Sequence, residues 1–243
     1  MKEPLATRER LIFALDVPTL KDVKRWVLLL KDTIGVFKIG KELYTACGPD
    51  SVRAVHDEGG EVFLDLKFHD IPNTAAMAAM SASRLGVKMF NLHSIGGVRM
   101  METVVKVVHK GCKAEGIERP LILAVTILTS MEDEDLAEVG IRGPVKERVS
   151  SLSILAEKAG IDGVVASPGE TRSIREKTRE DFVVVTPGIR LPGSLPDDQR
   201  RTMTPAEAIR EGSDYIVVGR PIRDSQDPVG SVESIIAEIE RMV

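Results

Sequence analysis

Glu61-Val62-Phe63-Leu64-Asp65-Leu66-Lys67-Phe68-His69-Asp70-Ile71-Pro72-Asn73-Thr74 runs from an apolar, β-branched segment through a knot of charge into a proline. The apolar run reads as a strand, and side chains two apart on a strand point the same way, so Asp65 and Lys67 share a face at its exit. Pro72 suits the first position of a helix, which makes Ile71 its cap residue and leaves Asp70 free for another role. The unit is therefore strand, charged turn, helix. A lysine flanked by carboxylates in such a turn is held as an ammonium, and a held ammonium is a proton donor.

The same unit recurs along the chain. Apolar runs lie at Leu11–Leu15, Gly35–Ile39, Glu61–Leu66, Met89–His93, Leu121–Thr126, Gly163–Ala166, Phe182–Thr186 and Tyr215–Val218, with helical patterns between them. Thr19 is placed to cap a helix whose Leu20, Val23, Val27 and Leu30 form one stripe. Pro72 opens another, which Gly86 closes. The last spans Gln226 to Met242, with Val232, Ile235, Ile236 and Ile239 on one face. Eight strand–helix alternations in 243 residues fit a single-domain (β/α)8 TIM barrel over residues 1–243, with little left for insertions. A doubly wound open sheet is the runner-up, but no G-x-G-x-x-G follows the first strand.

A net charge of −4 supplies no basic field for nucleic acid or acidic lipid. Two cysteines, Cys47 and Cys112, give neither a disulfide framework nor a paired metal spacing. They read as reduced thiols of a cytoplasmic protein. No apolar run is long enough for a membrane helix, and the one at Leu11–Leu15 is too short for a signal peptide core.

A barrel puts its chemistry at the C-terminal ends of the strands and grips phosphate after strands seven and eight. The exits here are Asp16 after strand one, Lys38 in strand two, Asp65 and Lys67 in strand three, and Asn91-Leu92-His93 in strand four. Strand five runs into Thr126-Ile127-Leu128-Thr129-Ser130, strand seven into Pro187-Gly188-Ile189-Arg190, and strand eight into Gly219-Arg220-Pro221. Asp16 alone reads equally well as a helix cap. Lys38, between Phe37 and Ile39, needs a carboxylate if it points inward, and Asp65 on the next strand can supply one. His69 and His93 read as structural, while His56 and His109 fall on surface helix positions. Gly219 with Arg220 suits a phosphate dianion, combining a backbone N–H with a forked, permanent charge. The polar stretch Leu191–Thr202, which includes Gln199, reads as a lid between the two phosphate-gripping strands.

The set Asp65-x-Lys67-x-x-Asp70-Ile71-Pro72-Asn73-Thr74, with Lys38 upstream, Thr129-Ser130 midway, Pro187-Gly188-Ile189-Arg190 and Gly219-Arg220, resembles orotidine 5'-monophosphate decarboxylase in its compact bacterial form. The likeness spans essentially the whole chain. It implies a homodimer that removes CO2 from orotidine 5'-monophosphate to give uridine 5'-monophosphate, with no metal or organic cofactor. On that likeness Asp16 and Lys38 hold the ribose side. Lys38, Asp65 and Lys67 lie beneath the pyrimidine. Asp70, Ile71 and Thr74 cross from the partner subunit, and Thr129 and Ser130 face the nucleotide. Arg190, Gln199, Gly219 and Arg220 hold the phosphate.

Three rivals define the tests. A relative in the same barrel superfamily uses a related D-x-K-x-x-D signature with magnesium on sugar phosphates, but the Ile71-Pro72-Asn73-Thr74 continuation favours the nucleotide enzyme. A Schiff-base aldolase needs a neutral amine, which flanking carboxylates oppose. A silent phosphate-binding barrel has no use for the full charged set.

Overall fold

A computed structural model of the chain describes residues 5–191 and 201–242. Eight parallel strands close into a barrel in chain order. They are β1 (Leu11–Ala14), β2 (Val36–Gly40), β3 (Val62–Phe68), β4 (Met89–His93), β5 (Leu121–Val125), β6 (Gly163–Val165), β7 (Val183–Thr186) and β8 (Tyr215–Val218). β1 closes the circle against β8, Phe13 lying opposite Val218. At least one helix follows every strand. Each observed strand overlaps its sequence-derived run. β3 alone extends well past expectation, to Phe68 rather than Leu66.

Alternation along the strands builds two cores. Ile12, Ala14, Val36, Phe63, Met89, Leu123, Val125, Val165, Val183, Val185, Tyr215 and Val217 pack into the barrel interior. Their neighbours in sequence, such as Phe13, Phe37, Leu64 and Phe90, pack outward beneath the helices. The interior is crowded. A Cβ on Gly163 would lie 2.2 Å from the Val183 carbonyl oxygen, so β6 tolerates only glycine there.

The helices begin where their caps dictate. Thr19 Oγ1 accepts from the Asp22 N–H at 3.2 Å at the start of the helix Leu20–Leu30. Ile71 is the cap of the helix Pro72–Arg84, and Gly86 follows its end at a φ of 74°. The last helix runs from Pro228 to Glu240, shorter at both ends than the sequence pattern indicated. Proline fits its first turn, and the Asp227 side chain takes the cap by accepting from the Gly230 N–H. None of the described helices is long and apolar enough to cross a membrane.

Candidate active site

Inward parity sets the floor of the site. The residues that follow the interior layer upward on β2, β3 and β4 are Lys38, Asp65 and Asn91, all buried. Burial of charge on this scale persists only with close partners. Lys38 Nζ lies 3.5 Å from Asp65 Oδ2 and 3.6 Å from Asp16 Oδ1. Asp65 Oδ1 accepts from Lys67 Nζ at 2.6 Å and from Asn91 Nδ2 at 2.7 Å. Burial pushes the Asp65 carboxyl up, but the Lys38 and Lys67 ammoniums and the bonds from Lys67 and Asn91 outweigh it. The group is held below the usual carboxylate range.

Lys67 owes its position to a break in the ladder. Leu64 pairs with Phe90 and Phe68 with Leu92, so four steps along β3 match two along β4. The surplus is a bulge, a device that re-aims side chains beside active sites. Within it Lys67 has a φ of 54°, the sole positive value among described non-glycine residues. Such a conformation costs about 1–3 kcal/mol and persists only where surrounding contacts impose it. One such contact is visible: the Lys67 N–H, turned out of the ladder, donates to Asn91 Oδ1 at 2.8 Å.

The rim comes from the other strand exits. Asp16, Thr129, Pro187, Gly188, Arg190, Gly219 and Arg220 line the same cavity as Lys38, Asp65 and Lys67. Its lower wall is apolar, formed by Ala14, Phe63, Val125, Val165 and Val217. A Cβ on Gly219 would approach Ala14 Cβ to 3.2 Å, so glycine keeps this edge open. Arg190 donates to the Ile189 carbonyl at 2.7 Å. Two guanidiniums stand at the rim, while the two ammoniums below are balanced by Asp65 and Asp16.

Not every sequence candidate lies here. Asp70, Ile71 and Thr74 are exposed at the start of the helix Pro72–Arg84 and do not line the cavity. Asp70 Oδ1 accepts from the Ile71 N–H at 2.6 Å, and Ile71 is 68% exposed. Within this chain, then, Asp65 is the carboxylate in contact with Lys67. Ser130 is exposed and outside the cavity wall, whereas its neighbour Thr129 lines it. Gln199 and most of the expected lid lie outside the described residues. The flanks of that stretch are tied together: Arg190 N–H donates to the Met203 carbonyl at 3.0 Å and Met203 N–H to Gly188 at 3.2 Å.

Sequence reasoning passed over two contributors. Asn91 was only a strand exit, although an amide on the inward face of an apolar strand must find polar partners. Arg201 donates to the buried Glu170 and to the Leu128 carbonyl, tying together the chain after β5, β6 and β7. No local signal marks that pairing, because its members are 31 residues apart. His93, half-buried with its ring 5.6 Å from that of His69, is driven down to about 4 by burial and by the nearby His69 and Lys67 charges. The described residues contain no group of three or more His, Cys, Asp or Glu that could hold a metal ion. Cys47 and Cys112 are free thiols.

The chain is similar to known proteins over most of its length. Residues 9–235 match the family described as "Orotidine 5'-phosphate decarboxylase / HUMPS family". The orotidine 5'-phosphate decarboxylase of Geobacter sulfurreducens is 56% identical over 232 residues, covering 96% of either chain. That of Geotalea daltonii is 55% identical over the same length, again covering 96% of each. Among solved structures, the orotidine 5'-phosphate decarboxylase of Lactobacillus acidophilus superposes with a TM-score of 0.82 at 37% identity, over 94% of this chain and 98% of that one. The chain belongs to the orotidine 5'-phosphate decarboxylase / HUMPS family.

Proposed function

We propose that this chain, over residues 1–243 as one catalytic unit, converts orotidine 5'-monophosphate to uridine 5'-monophosphate and CO2, with Lys67 protonating the carbanion left at C6. The observation that carries this reading is the contact between Lys67 Nζ and Asp65 Oδ1 at 2.6 Å, on the floor of a cavity whose rim holds Arg190 and Arg220. The enzyme is a carbon–carbon lyase.

Departure of CO2 from the pyrimidine leaves an anion that no neighbouring carbonyl is placed to delocalise. The protein has to supply positive charge where it develops, and then a proton. An ammonium does both. Asp65 lies against the Lys67 ammonium, and Lys38 balances Asp65 from the other side. After transfer Lys67 is a neutral amine and regains its proton from solvent. No metal and no organic cofactor takes part. A Schiff-base role is disfavoured, since the same contact opposes a neutral resting amine.

Asp16 and Lys38 take the ribose, Thr129 and Ser130 face the nucleotide, and Gly219, Arg190 and Arg220 hold the phosphate with Gln199. Phosphate binding at a distance from the broken bond assists chemistry when it fixes the ring over the ammonium. Asp70, Ile71 and Thr74, exposed here, complete the cavity of a second copy in a homodimer. The reading places the enzyme in the cytosol, where charged nucleotides are made and used.

The experiment is direct. Purified protein is given orotidine 5'-monophosphate and the loss of its absorbance is followed, with and without EDTA. Turnover that EDTA leaves unchanged is expected. An inert protein would overturn the reading, and activity lost with EDTA and restored by magnesium would transfer the chain to the sugar-phosphate type.

A further inference from the structure

Asn91 is completely buried in the middle of β4, and its side-chain amide makes two hydrogen bonds whose directions are fixed. A backbone N–H only donates, so the atom 2.8 Å from the Lys67 nitrogen is the amide oxygen. An ionised carboxylate only accepts, so the atom 2.7 Å from Asp65 Oδ1 is the amide nitrogen. With the Lys67–Asp65 contact at 2.6 Å, these bonds close a ring that runs from the Lys67 N–H through Asn91 and Asp65 back to Lys67 Nζ. One side chain thereby holds both the strained backbone of the lysine and its counter-ion.

We propose that Asn91 is a positioning residue for decarboxylation: it holds the left-handed turn that aims Lys67 and keeps Asp65 beside the ammonium. This rests on the reading of Lys67 as the proton donor. The physical advantage of an amide is that it does not titrate. When Lys67 gives up its proton, Asp65 loses the charge of its nearest partner, yet the bond from Asn91 persists and keeps the carboxylate ready for the next ammonium. A lysine or histidine in the same place would add a further charge to a floor that already carries Lys38 and Lys67.

Asp65 is faced by Lys38 from β2, by Lys67 on its own strand and by Asn91 from β4, with Asp16 beyond Lys38 and His93 at the β4 exit. Removing the neutral donor removes one of the influences that lower Asp65, so its titration moves to higher pH.

The test uses Asn91→Leu, which deletes both bonds at similar volume, and Asn91→Ser, a smaller change that keeps the test decisive if the leucine variant does not fold. In either folded variant kcat is expected to fall about 10²-fold, the scale of a misaimed catalytic group. KM should stay within about threefold, because the phosphate-side residues are untouched. The acid limb of the kcat profile should move to higher pH. A kcat within about threefold of the parent and an unmoved acid limb, with only the melting temperature lowered, would make Asn91 a structural group and overturn the proposal. Lys67→Met, measured alongside, separates the two levels. If it retains turnover, the reading of Lys67 fails and the assignment of Asn91 falls with it. If it is dead while the Asn91 variants keep the parent profile, only Asn91 is wrongly assigned.

Discussion

Lys38 was readable as a residue because a lysine pointing inward from the apolar run between Phe37 and Ile39 needs a carboxylate, and Asp65 stood one strand away. Lys67 was readable as a charge but not as a conformation, since its positive φ arises from a bulge that only the pairing of β3 with β4 creates. Two predictions belong at this scale. Arg220→Ala should lower kcat/KM about 10²-fold, or about 3 kcal/mol, by deleting charge-assisted hydrogen bonds to the phosphate. Steady-state kinetics showing an ordinary value would remove Arg220 from the phosphate site. His93 is held at about 4 in the fold against an ordinary 6.5, so between those values the unfolded chain binds a proton that the folded chain refuses. Its contribution to stability is therefore complete above about pH 6.5 and is lost as pH falls towards about 4. Melting curves across that window should be less steep in pH for His93→Gln than for the parent; equal slopes would refute the assignment. Asp65 acts in a separate window, its stabilisation being present above its ordinary 3.8 and lost below it.

Elements were the most legible level, because apolar runs of four to six residues alternate with helix caps and amphipathic stripes. The helix Leu20–Leu30 illustrates why. Thr19 satisfies the Asp22 N–H, while Val23, Trp26, Val27 and Leu30 bury one face. Thr19→Ala should lower unfolding free energy by about 1 kcal/mol without altering kcat, and urea titration would measure it. An unchanged midpoint would mean that the cap is idle. The helix Pro205–Arg210 carries an equally clear capping box from Thr204 and Glu207 that the sequence pattern left unread, since its six residues are too short for periodicity to register. β3 ended beyond its expected limit for a different reason: the irregular pairing that extends it belongs to two strands, not one.

For the whole molecule, barrel closure follows from eight units of similar length, and the convergence of Asp16, Lys38, Asp65, Lys67, Arg190 and Arg220 follows from closure. The proposed pairing of subunits was not legible in the same way, because an exposed Ile71 looks in sequence like any core isoleucine. If Asp70 completes a neighbouring cavity, Lys67→Met and Asp70→Ala should rescue each other. Equal amounts reassembled together should regain about one quarter of parental activity, since half of the dimers are mixed and each carries one complete site. No gain on mixing would confine the site to one chain. The central claim is that one ammonium, held by Asp65, delivers the proton. Measuring the turnover of orotidine 5'-monophosphate by folded Lys67→Met tests it most directly. A loss of about 10³-fold or more is predicted, combining the proton donor with its electrostatic role, and parental turnover from that variant would contradict the account.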